Sequence, residues 1–386
     1  MTRGWRQKGI ALGLVLASSV LALLLGELAA RLVVHPGDFL TAQRIEHPVL
    51  GHRLEPNTTG HDALGFRNRR VPERADIVAI GDSVTYGVGA AHDDSWPHQT
   101  GALLQERVYS MALGGYGPLE YLYLAEQEAK PLRPRLLLVG FNFANDLIDA
   151  YDSAYQKPHW RDWREPGAAH AGGSEYQRAW ASQPKKRFAV LRDWLSMHSV
   201  LYSMLRVVLL SDLASWERDA QQPEAAQRMS WTDPSARAVG AVFMPRLRLS
   251  VVDPQLPSVQ EGLRITKRVF VSLQSGANAQ GTRLLVVLIP TKERVYCPYL
   301  RQSGTQMPDA LARTCEGEER VKRELAQFLA AHTIAYVDVT PALEEQVQQH
   351  VQIYPKGEDS SHPQAAGYRA IARTVYAAVS RPPFGL

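Results

Sequence analysis

Ser83 stands in a setting that suggests covalent chemistry. It follows a short β-branched apolar run, with Gly81 and Asp82 between the run and the serine. A serine hydroxyl is a weak nucleophile at neutral pH unless a base accepts its proton, and a carboxylate usually orients that base. The spacing Asp359-x-x-His362 lets the carboxylate reach one imidazole nitrogen and leaves the other nitrogen for the serine. These residues predict acyl transfer at Ser83, with His362 as the base and Asp359 as its partner.

Acyl transfer also needs hydrogen-bond donors for the negative charge that develops on the reacting carbonyl oxygen. Gly114 and Gly115 follow one strand pattern, and Asn142 and Asn145 follow the next. Judged singly, a glycine turn and an asparagine helix cap are the commoner explanations. Their joint occurrence at neighbouring strand ends predicts an oxyanion hole made by the N–H groups of Ser83 and Gly115 and the amide of Asn145. Gly114 and Asn142 stay open as alternatives.

These side chains need a frame that brings distant segments together, and the chain alternates strand and helix patterns. Such alternation predicts a parallel sheet with helices on both faces, in which functional groups gather beyond the carboxyl ends of the strands. The predicted strands are 75–80, 108–113, 135–141, 283–289 and 334–339, and the predicted helices are 96–107, 119–130, 259–277, 318–332 and 364–379.

Residues 150–257 break the alternation and are interpreted as an insertion in a domain of residues 74–386. Tryptophans in the insertion could stack on sugar rings, although scattered tryptophans more often belong to a core; they include Trp160, Trp163 and Trp180. The stretch 188–210 is amphipathic. It could lie against a membrane or cap an active site, but packing in the core is the favoured interpretation.

Residues 1–34 predict a cytoplasmic stub followed by a transmembrane signal-anchor. Basic residues precede an apolar run over 10–26, which is near the lower length limit for crossing a bilayer. A signal peptide cleaved near Ala29 and Ala30 is the alternative, and the uncleaved anchor is favoured. Residues 35–73 are rich in Pro, Gly, Asn and Arg and predict a juxtamembrane linker without obvious chemistry.

The positive-inside rule leaves the N-terminus in the cytoplasm and everything after about residue 35 outside it. Because an exported domain meets an oxidising compartment, we expect a disulfide between Cys297 and Cys315, the chain's two cysteines; two unrelated thiols are the alternative.

Composition excludes several other classes. The hydrophobic content of 45% and charged content of 21% argue against a disordered chain and a multi-span membrane protein. The net charge of +4 comes from basic residues spread along the chain, so nucleic acid is not predicted as a partner. The sequence has no Cys/His cluster at metal-ligand spacing, and the predicted chemistry requires no metal or organic cofactor.

Four short motifs resemble the conserved blocks of the SGNH/GDSL hydrolases. Gly81-Asp82-Ser83 resembles the first block, Gly115 the second, Asn145-Asp146 the third, and Asp359-x-x-His362 the fifth. The resemblance spans about residues 76–379 apart from the insertion. It implies a flavodoxin-like three-layer α/β/α sandwich with a central parallel sheet. It also implies the nucleophile, base, orienting and oxyanion roles already assigned above.

Two further segments resemble bacterial envelope proteins. The motif Gly65-Phe66-Arg67-Asn68 is similar to one found upstream in anchored members of the family, and residues 289–296 (IPTKERVY) are similar to a segment of alginate O-acetylation proteins. These similarities imply a single-pass protein of the bacterial inner membrane whose catalytic domain faces the periplasm or the extracellular side.

The expected activity is removal of O-acyl groups, chiefly O-acetyl, from an extracytoplasmic glycan or lipid through an acyl-serine intermediate. The same residues would serve an O-acetyltransferase, because a sugar hydroxyl can replace water as the acceptor. A non-catalytic scaffold in envelope polysaccharide assembly is the alternative from another class. The expected partners are the acylated substrate, the membrane through the N-terminal helix, and polysaccharide assembly proteins.

Overall fold

The computed structural model describes residues 2–34, 36–166, 189–206, 228–236, 239–357, 360–382 and 384. Asp359 and Trp180 therefore lie outside the described residues, as do residues 188 and 207–210 of the amphipathic stretch.

A five-stranded parallel sheet forms the centre of the main domain. Its strands are β3 (Ile77–Gly81), β4 (Val108–Ala112), β5 (Leu136–Asn142), β8 (Arg283–Ile289) and β9 (Tyr336–Asp338). They lie in the order β4-β3-β5-β8-β9. Numbered within the sheet this is 2-1-3-4-5, the flavodoxin-like order, so the predicted fold class is confirmed.

Alternate residues of each strand point to opposite faces of the sheet. Val78 and Ile80 of β3 join one hydrophobic core, whereas Ile77 and Ala79 join the other. Because both faces are covered, strands β3, β4, β5 and β8 are mainly apolar and buried along almost their whole length rather than alternating, as expected for a buried parallel sheet. The five predicted strands therefore match the observed ones to within about two residues at each end.

Helices cover both faces, which completes the three layers. The first face carries α4 (Pro118–Tyr123), α5 (Asp146–Gln156), α8 (Pro245–Val252), α9 (Pro257–Ala279) and much of α11 (Asp309–Ala331). The second face carries α3 (Trp96–Leu104), α10 (Lys292–Gln302), α12 (Thr340–Gln348) and α13 (Ala365–Val379). The short helix α2 (Ser83–Tyr86) follows β3. Other short helical segments are Pro36–Asp38, His92–Asp94, Leu124–Ala129, Lys130–Leu132 and Pro158–Trp163.

The N-terminal helix α1 (Thr2–Val33) stands apart from both cores. Its segment Ile10–Val33 has a mean hydropathy of 2.2 and contains no buried residue, so it is long and apolar enough to cross a membrane. Length and composition are the only grounds for this assignment, and a signal sequence would meet the same test.

The predicted linker and insertion both contain regular structure. Within residues 35–73, β1 (Arg44–His47) and β2 (Gly51–Leu54) form an antiparallel hairpin. The insertion contributes α6 (Ala189–His198), helical residues 200–206 (α7), and a second hairpin of β6 (Met229–Thr232) and β7 (Gly240–Phe243). Trp231 and Phe243 of the second hairpin pack into the core, so part of the insertion is integral to the domain.

A disulfide joins Cys297 of α10 to Cys315 of α11, with the two Cα atoms 6.4 Å apart. Both cysteines are buried. The bridge therefore links the two consecutive helices that follow β8 in the chain.

Candidate active site

The carboxyl end of β3 presents Ser83 at the start of α2. Asp82 caps that helix, because its Oδ1 accepts a hydrogen bond from the N–H of Val84 at 2.9 Å. Gly81 is required for close packing, since a Cβ there would collide with the side chain of Thr85. Ser83 is only partly buried, so its hydroxyl is accessible at the edge of the sheet. Its N–H belongs to the first turn of a helix, where backbone donors have no partner within the helix.

His362 faces Ser83 across the edge of the sheet. Its Nε2 lies 2.9 Å from Ser83 Oγ, although the two residues are 279 positions apart in the chain. A second acceptor for the Ser83 hydroxyl is Asp82 Oδ2, at the longer distance of 3.4 Å. When Ser83 donates to His362, the imidazole is neutral and carries its proton on Nδ1. Nδ1 then donates to Ser360 Oγ at 3.2 Å.

The loop that carries His362 is held by a buried lysine. Lys292 Nζ donates to the carbonyl of Ser360 at 2.8 Å, and Lys292 is only 1% exposed. Ser360 in turn accepts a hydrogen bond from the N–H of His362 at 3.3 Å. Lys292 therefore anchors the turn immediately before the predicted base.

The surroundings of His362 favour the neutral imidazole. Burial, with smaller contributions from the positive charges of Arg248 and Lys292, lowers the pKa of His362 to about 4. Arg248 comes from the insertion, donates to the carbonyl of Ala144 at 3.1 Å, and lies 3.7 Å from the Glu293 carboxylate. At neutral pH His362 is thus available to accept a proton.

The second block lies directly beside Ser83. A Cβ on Gly114 would be 3.4 Å from the Ser83 Cβ, and Gly115 has a φ of +86°, which favours glycine. The Gly114 carbonyl accepts a hydrogen bond at 3.0 Å from Nε2 of His52, which belongs to β2. This carbonyl and the Gly115 N–H belong to one trans peptide and point in opposite directions. The contact with His52 therefore orients the Gly115 N–H, one of the predicted oxyanion donors.

In the third block both asparagine amides are already hydrogen bonded. Asn145 Nδ2 donates to Asp149 Oδ2 at 2.6 Å and to Asp146 Oδ1 at 3.3 Å. Asn142 Nδ2 donates to Asp82 Oδ2 at 2.8 Å and to Asn145 Oδ1 at 2.9 Å. Both amides thus lie in the network that adjoins Ser83 through Asp82. In the observed rotamer, the Asn145 amide protons face carboxylates.

Burial raises the pKa of each of the three carboxyl groups in this network. The pKa of Asp82 is raised, that of Asp146 is raised well above its usual range, and that of Asp149 is raised to about 8. The asparagine amides donate hydrogen bonds to these carboxyl groups, and the Tyr121 hydroxyl donates to Asp146 at 3.0 Å. The network therefore supports the strand ends on which Ser83 and the asparagines lie.

Sequence patterns did not single out four residues near the candidate site: Arg44 and His52 from the linker, Arg248 from the insertion, and Lys292 after β8. An Arg44 nitrogen lies 4.0 Å from the position of a Gly114 Cβ. Lys292 belongs to the segment that resembles alginate O-acetylation proteins, which was the one available signal among the four. The linker, which carries no obvious chemistry in its sequence, supplies two of these residues.

The motif at residues 65–68 binds the loop that follows Ser83 and α2. Arg67 is buried, pairs with Asp38 at 2.6 Å, and donates to the carbonyls of Gly87 at 3.3 Å and Ala90 at 3.0 Å. Asn68 exchanges hydrogen bonds with the backbone of Ser110 on the edge strand β4. Arg67 thus ties the linker to the loop that follows Ser83, and Asn68 ties it to the neighbouring strand β4.

Among the residues that the structure describes, no group of three or more His, Cys, Asp and Glu side chains is arranged to hold a metal ion. Asp359 lies outside the described residues, so its place beside His362 remains a prediction.

Comparison with known proteins gives matches to solved structures alone; no family model and no curated protein matches the chain. A GDSL-like lipase from Bacteroides thetaiotaomicron matches with 9% identity and a TM-score of 0.34, covering 80% of this chain and 91% of the lipase. A catalytic mutant of an acetylxylan esterase from Geobacillus stearothermophilus matches with 12% identity and a TM-score of 0.38, covering 80% and 95%. An extracellular lipase from Streptomyces rimosus matches with 14% identity and a TM-score of 0.38, covering 79% and 99%.

The matched structures include members of the family that the sequence blocks resemble. Their similarity to this chain is too low to carry an argument about activity. The fold assignment rests on the order and direction of the five strands.

Proposed function

We propose that the chain is an SGNH-type serine esterase in which Ser83 is the nucleophile and His362 the general base. The observation that carries the proposal is the 2.9 Å contact between Ser83 Oγ and His362 Nε2 at the carboxyl end of a parallel sheet. A nucleophile and a base within hydrogen-bond reach, with the base oriented by a third group, are the signature of activated serine chemistry. Asp359 is proposed as that third group from its spacing to His362 in the sequence.

The proposed reaction proceeds in two halves. Ser83 Oγ attacks the acyl carbonyl carbon while His362 Nε2 takes the hydroxyl proton. Collapse of the tetrahedral intermediate breaks the ester C–O bond, and His362 returns the proton to the departing alcohol. Water then attacks the acyl-serine with His362 again as base, which releases the carboxylic acid and restores Ser83.

The oxyanion of each tetrahedral intermediate needs preorganised donors. We propose the N–H groups of Ser83 and Gly115, the latter oriented through the His52 contact with Gly114. Asn145 is the proposed side-chain donor, and it would have to turn its amide away from Asp149 to reach the oxyanion. Asn142 stays the alternative, because its amide already contacts the carboxylate next to Ser83.

The proposed substrate is an O-acyl ester, chiefly an O-acetyl ester, on a glycan or lipid outside the cytoplasm. This location is supported by the unburied apolar segment Ile10–Val33 and by the disulfide between Cys297 and Cys315, which suits an oxidising compartment. We propose a single-pass protein of the bacterial inner membrane with its catalytic domain in the periplasm.

An O-acetyltransferase is the second candidate function. It is favoured by the position of Lys292, because the segment that resembles alginate O-acetylation proteins contacts the His362 loop. In that reaction a sugar hydroxyl would replace water in the second half. A non-catalytic scaffold is the contrasting proposal, and it predicts that Ser83 has no enhanced reactivity.

A fluorophosphonate probe tests the nucleophile. We expect wild type to be labelled and the Ser83→Ala variant to be spared, because the probe requires an activated serine oxygen. Ser303→Ala is the matched control: it removes an exposed hydroxyl at the C-terminal end of α10 and should retain labelling. Absence of labelling in folded wild-type protein would favour the scaffold.

Acceptor dependence separates the two enzyme functions. Release of acetate from a chromogenic acetyl ester is followed with and without oligosaccharides. A hydrolase consumes the ester at the same rate in both cases. If oligosaccharides accelerate consumption and become acetylated, the chain is a transferase.

A further inference from the structure

The last turns of α1 hold the corner between α6 and α7. The Glu27 carboxylate accepts hydrogen bonds from Ser199 Oγ at 2.8 Å and from the N–H groups of Val200 and Leu201, both at 2.9 Å. His198 is the last residue of α6, and its carbonyl accepts a hydrogen bond from Arg31 at 2.7 Å. The end of one helix and the start of the next are therefore both tied to α1.

These contacts set the depth of the corner relative to a bilayer. The apolar run 10–26 extends about 25 Å along a helix, since each residue rises about 1.5 Å. That length fills most of a hydrocarbon core of about 30 Å. Glu27 is the first charged residue after the run and would lie at the outer boundary of the core, together with the corner that it binds.

Val200 of α7 is buried, but three large apolar residues of the two helices at the corner are exposed. Leu191 and Trp194 of α6 are 62% and 52% exposed, and Leu205 of α7 is 44% exposed. Ser196 and Ser203 are buried instead, at 5% and 4% exposure. A helix in water normally buries its leucines and exposes its serines. Trp194 adds a residue type that is enriched where lipid meets water.

We infer that α6 and α7 lie in the outer bilayer interface beside α1, with Leu191, Trp194 and Leu205 among the lipid. The occupant of this apolar face is the membrane that α1 crosses, because hydrogen bonds join the face to the outer end of α1. The domain is tied to the same place, since the N–H of Thr41 donates to the carbonyl of Ser196 at 2.9 Å. This inference does not depend on catalysis and goes beyond the proposed activity.

Spin labels on the full chain in phosphatidylethanolamine–phosphatidylglycerol liposomes test the inference. One label replaces Trp194 (Trp194→Cys), and a control label replaces Val271 (Val271→Cys), which is 40% exposed on α9 of the domain. A third label at Leu16 (Leu16→Cys) reports the interior of α1. Collisions with dioxygen, which enters lipid, are compared with collisions with a water-soluble nickel chelate.

We expect label 194 to lose nickel accessibility relative to label 271 while remaining accessible to dioxygen, as label 16 does. Equal nickel accessibility at 194 and 271, with 16 protected, would place α6 in water and overturn the inference. Protection of 194 from both reagents would identify a protein partner instead of lipid. If label 16 also meets nickel, α1 does not cross the bilayer and the inference falls with it.

Native tryptophan fluorescence provides a second measurement without cysteine labels. In liposomes that contain brominated lipid, the Trp194→Phe variant should lose part of the quenching seen in wild type. The control Trp96→Phe removes a fully buried core ring and should leave the quenching unchanged. Equal quenching in Trp194→Phe and wild type would contradict contact with lipid.

Discussion

At the residue scale, the candidate site combines a neutral base with positive neighbours. Burial lowers the pKa of His362, and the positive charges of Arg248 and Lys292 lower it further. The same two cations donate to the carbonyls of Ala144 and Ser360 and so hold the loops beside Ser83. A low pKa keeps the imidazole unprotonated, but it also makes the protonated base a stronger acid toward the leaving alcohol. The two cations therefore affect both halves of the proton transfer.

The pH dependence of kcat/KM should report this environment. With His362 as the proposed base, we expect full activity above its pKa and a fall in activity as the pH drops through about 4. Lys292→Met removes a positive charge that disfavours the imidazolium, which raises the pKa of His362 and moves the acid limb to higher pH. Lys267→Met, on the surface ion pair with Glu324, is the control and should not move it. An unchanged acid limb of the kcat/KM profile in Lys292→Met would contradict an effect of the Lys292 charge on the pKa of His362.

Replacing His52 tests the orientation of the Gly115 N–H. We expect His52→Ala to lower kcat about fivefold with little change in KM, because a neutral hydrogen bond is worth about 1 kcal/mol and the oxyanion develops after binding. His47→Ala is the matched control in the same hairpin, where His47 accepts hydrogen bonds from the N–H groups of Val49 and Leu50 and packs against the ring of Tyr123. Equal loss of kcat in both variants would indicate a general effect of the hairpin.

At the element scale, the linker contributes contacts to the surroundings of Ser83. Its hairpin carries His52 to the second block, and Arg67 binds the loop after α2. The insertion behaves similarly, since Arg248 reaches the third block from α8. Segments that contribute no strand to the main sheet thus complete the surroundings of Ser83.

Loss of Arg67 should destabilise the fold substantially. Arg67→Ala removes the ion-pair partner of the Asp38 carboxylate and a donor to the Gly87 and Ala90 carbonyls, and breaking a buried ion pair in this way typically costs about 3–5 kcal/mol. Urea unfolding of the wild type and the variant measures the change. Arg301→Ala, which removes an exposed arginine 3.8 Å from Glu316, should change stability by less than about 0.5 kcal/mol. A similarly small change in the free energy of unfolding of Arg67→Ala would contradict a stabilising role for the Arg67 contacts.

At the scale of the whole molecule, the anchor, the insertion and the disulfide bear on where the protein works. The apolar segment of α1 is unburied, and the bridge between α10 and α11 suits export. A catalytic domain held beside a bilayer would meet substrates that are assembled or exported there.

Cell fractionation tests the proposed topology. We expect the full chain to remain in the membrane fraction after alkaline extraction, because a crossing helix is not released by breaking ionic contacts. Protease added to spheroplasts should digest the domain, and thiol trapping should find Cys297 and Cys315 oxidised. Protection of the domain from protease, with both thiols free, would place it in the cytoplasm. Release of a shortened chain into the periplasm would indicate the cleaved signal instead.

The sequence by itself determined the five strands of the sheet, five of the helices that cover it and the block residues that resemble a hydrolase family. Strand and helix patterns depend on local periodicity, so 283–289 was predicted with its observed bounds. Helices that begin within functional motifs, such as α5 and α10, were missed because their polar first turns mask the apolar period.

Only the tertiary structure decided which side chains surround Ser83. The contact between Ser83 and His362 joins positions 279 residues apart, and spacing in the sequence could suggest it but not measure it. His52, Arg248 and Lys292 belong to no pattern that marks catalysis, because their relevance arises from the packing of a hairpin, an insertion and a buried helix start around one strand end. Chemistry that depends on residue type was readable along the chain, whereas chemistry that depends on proximity required the fold.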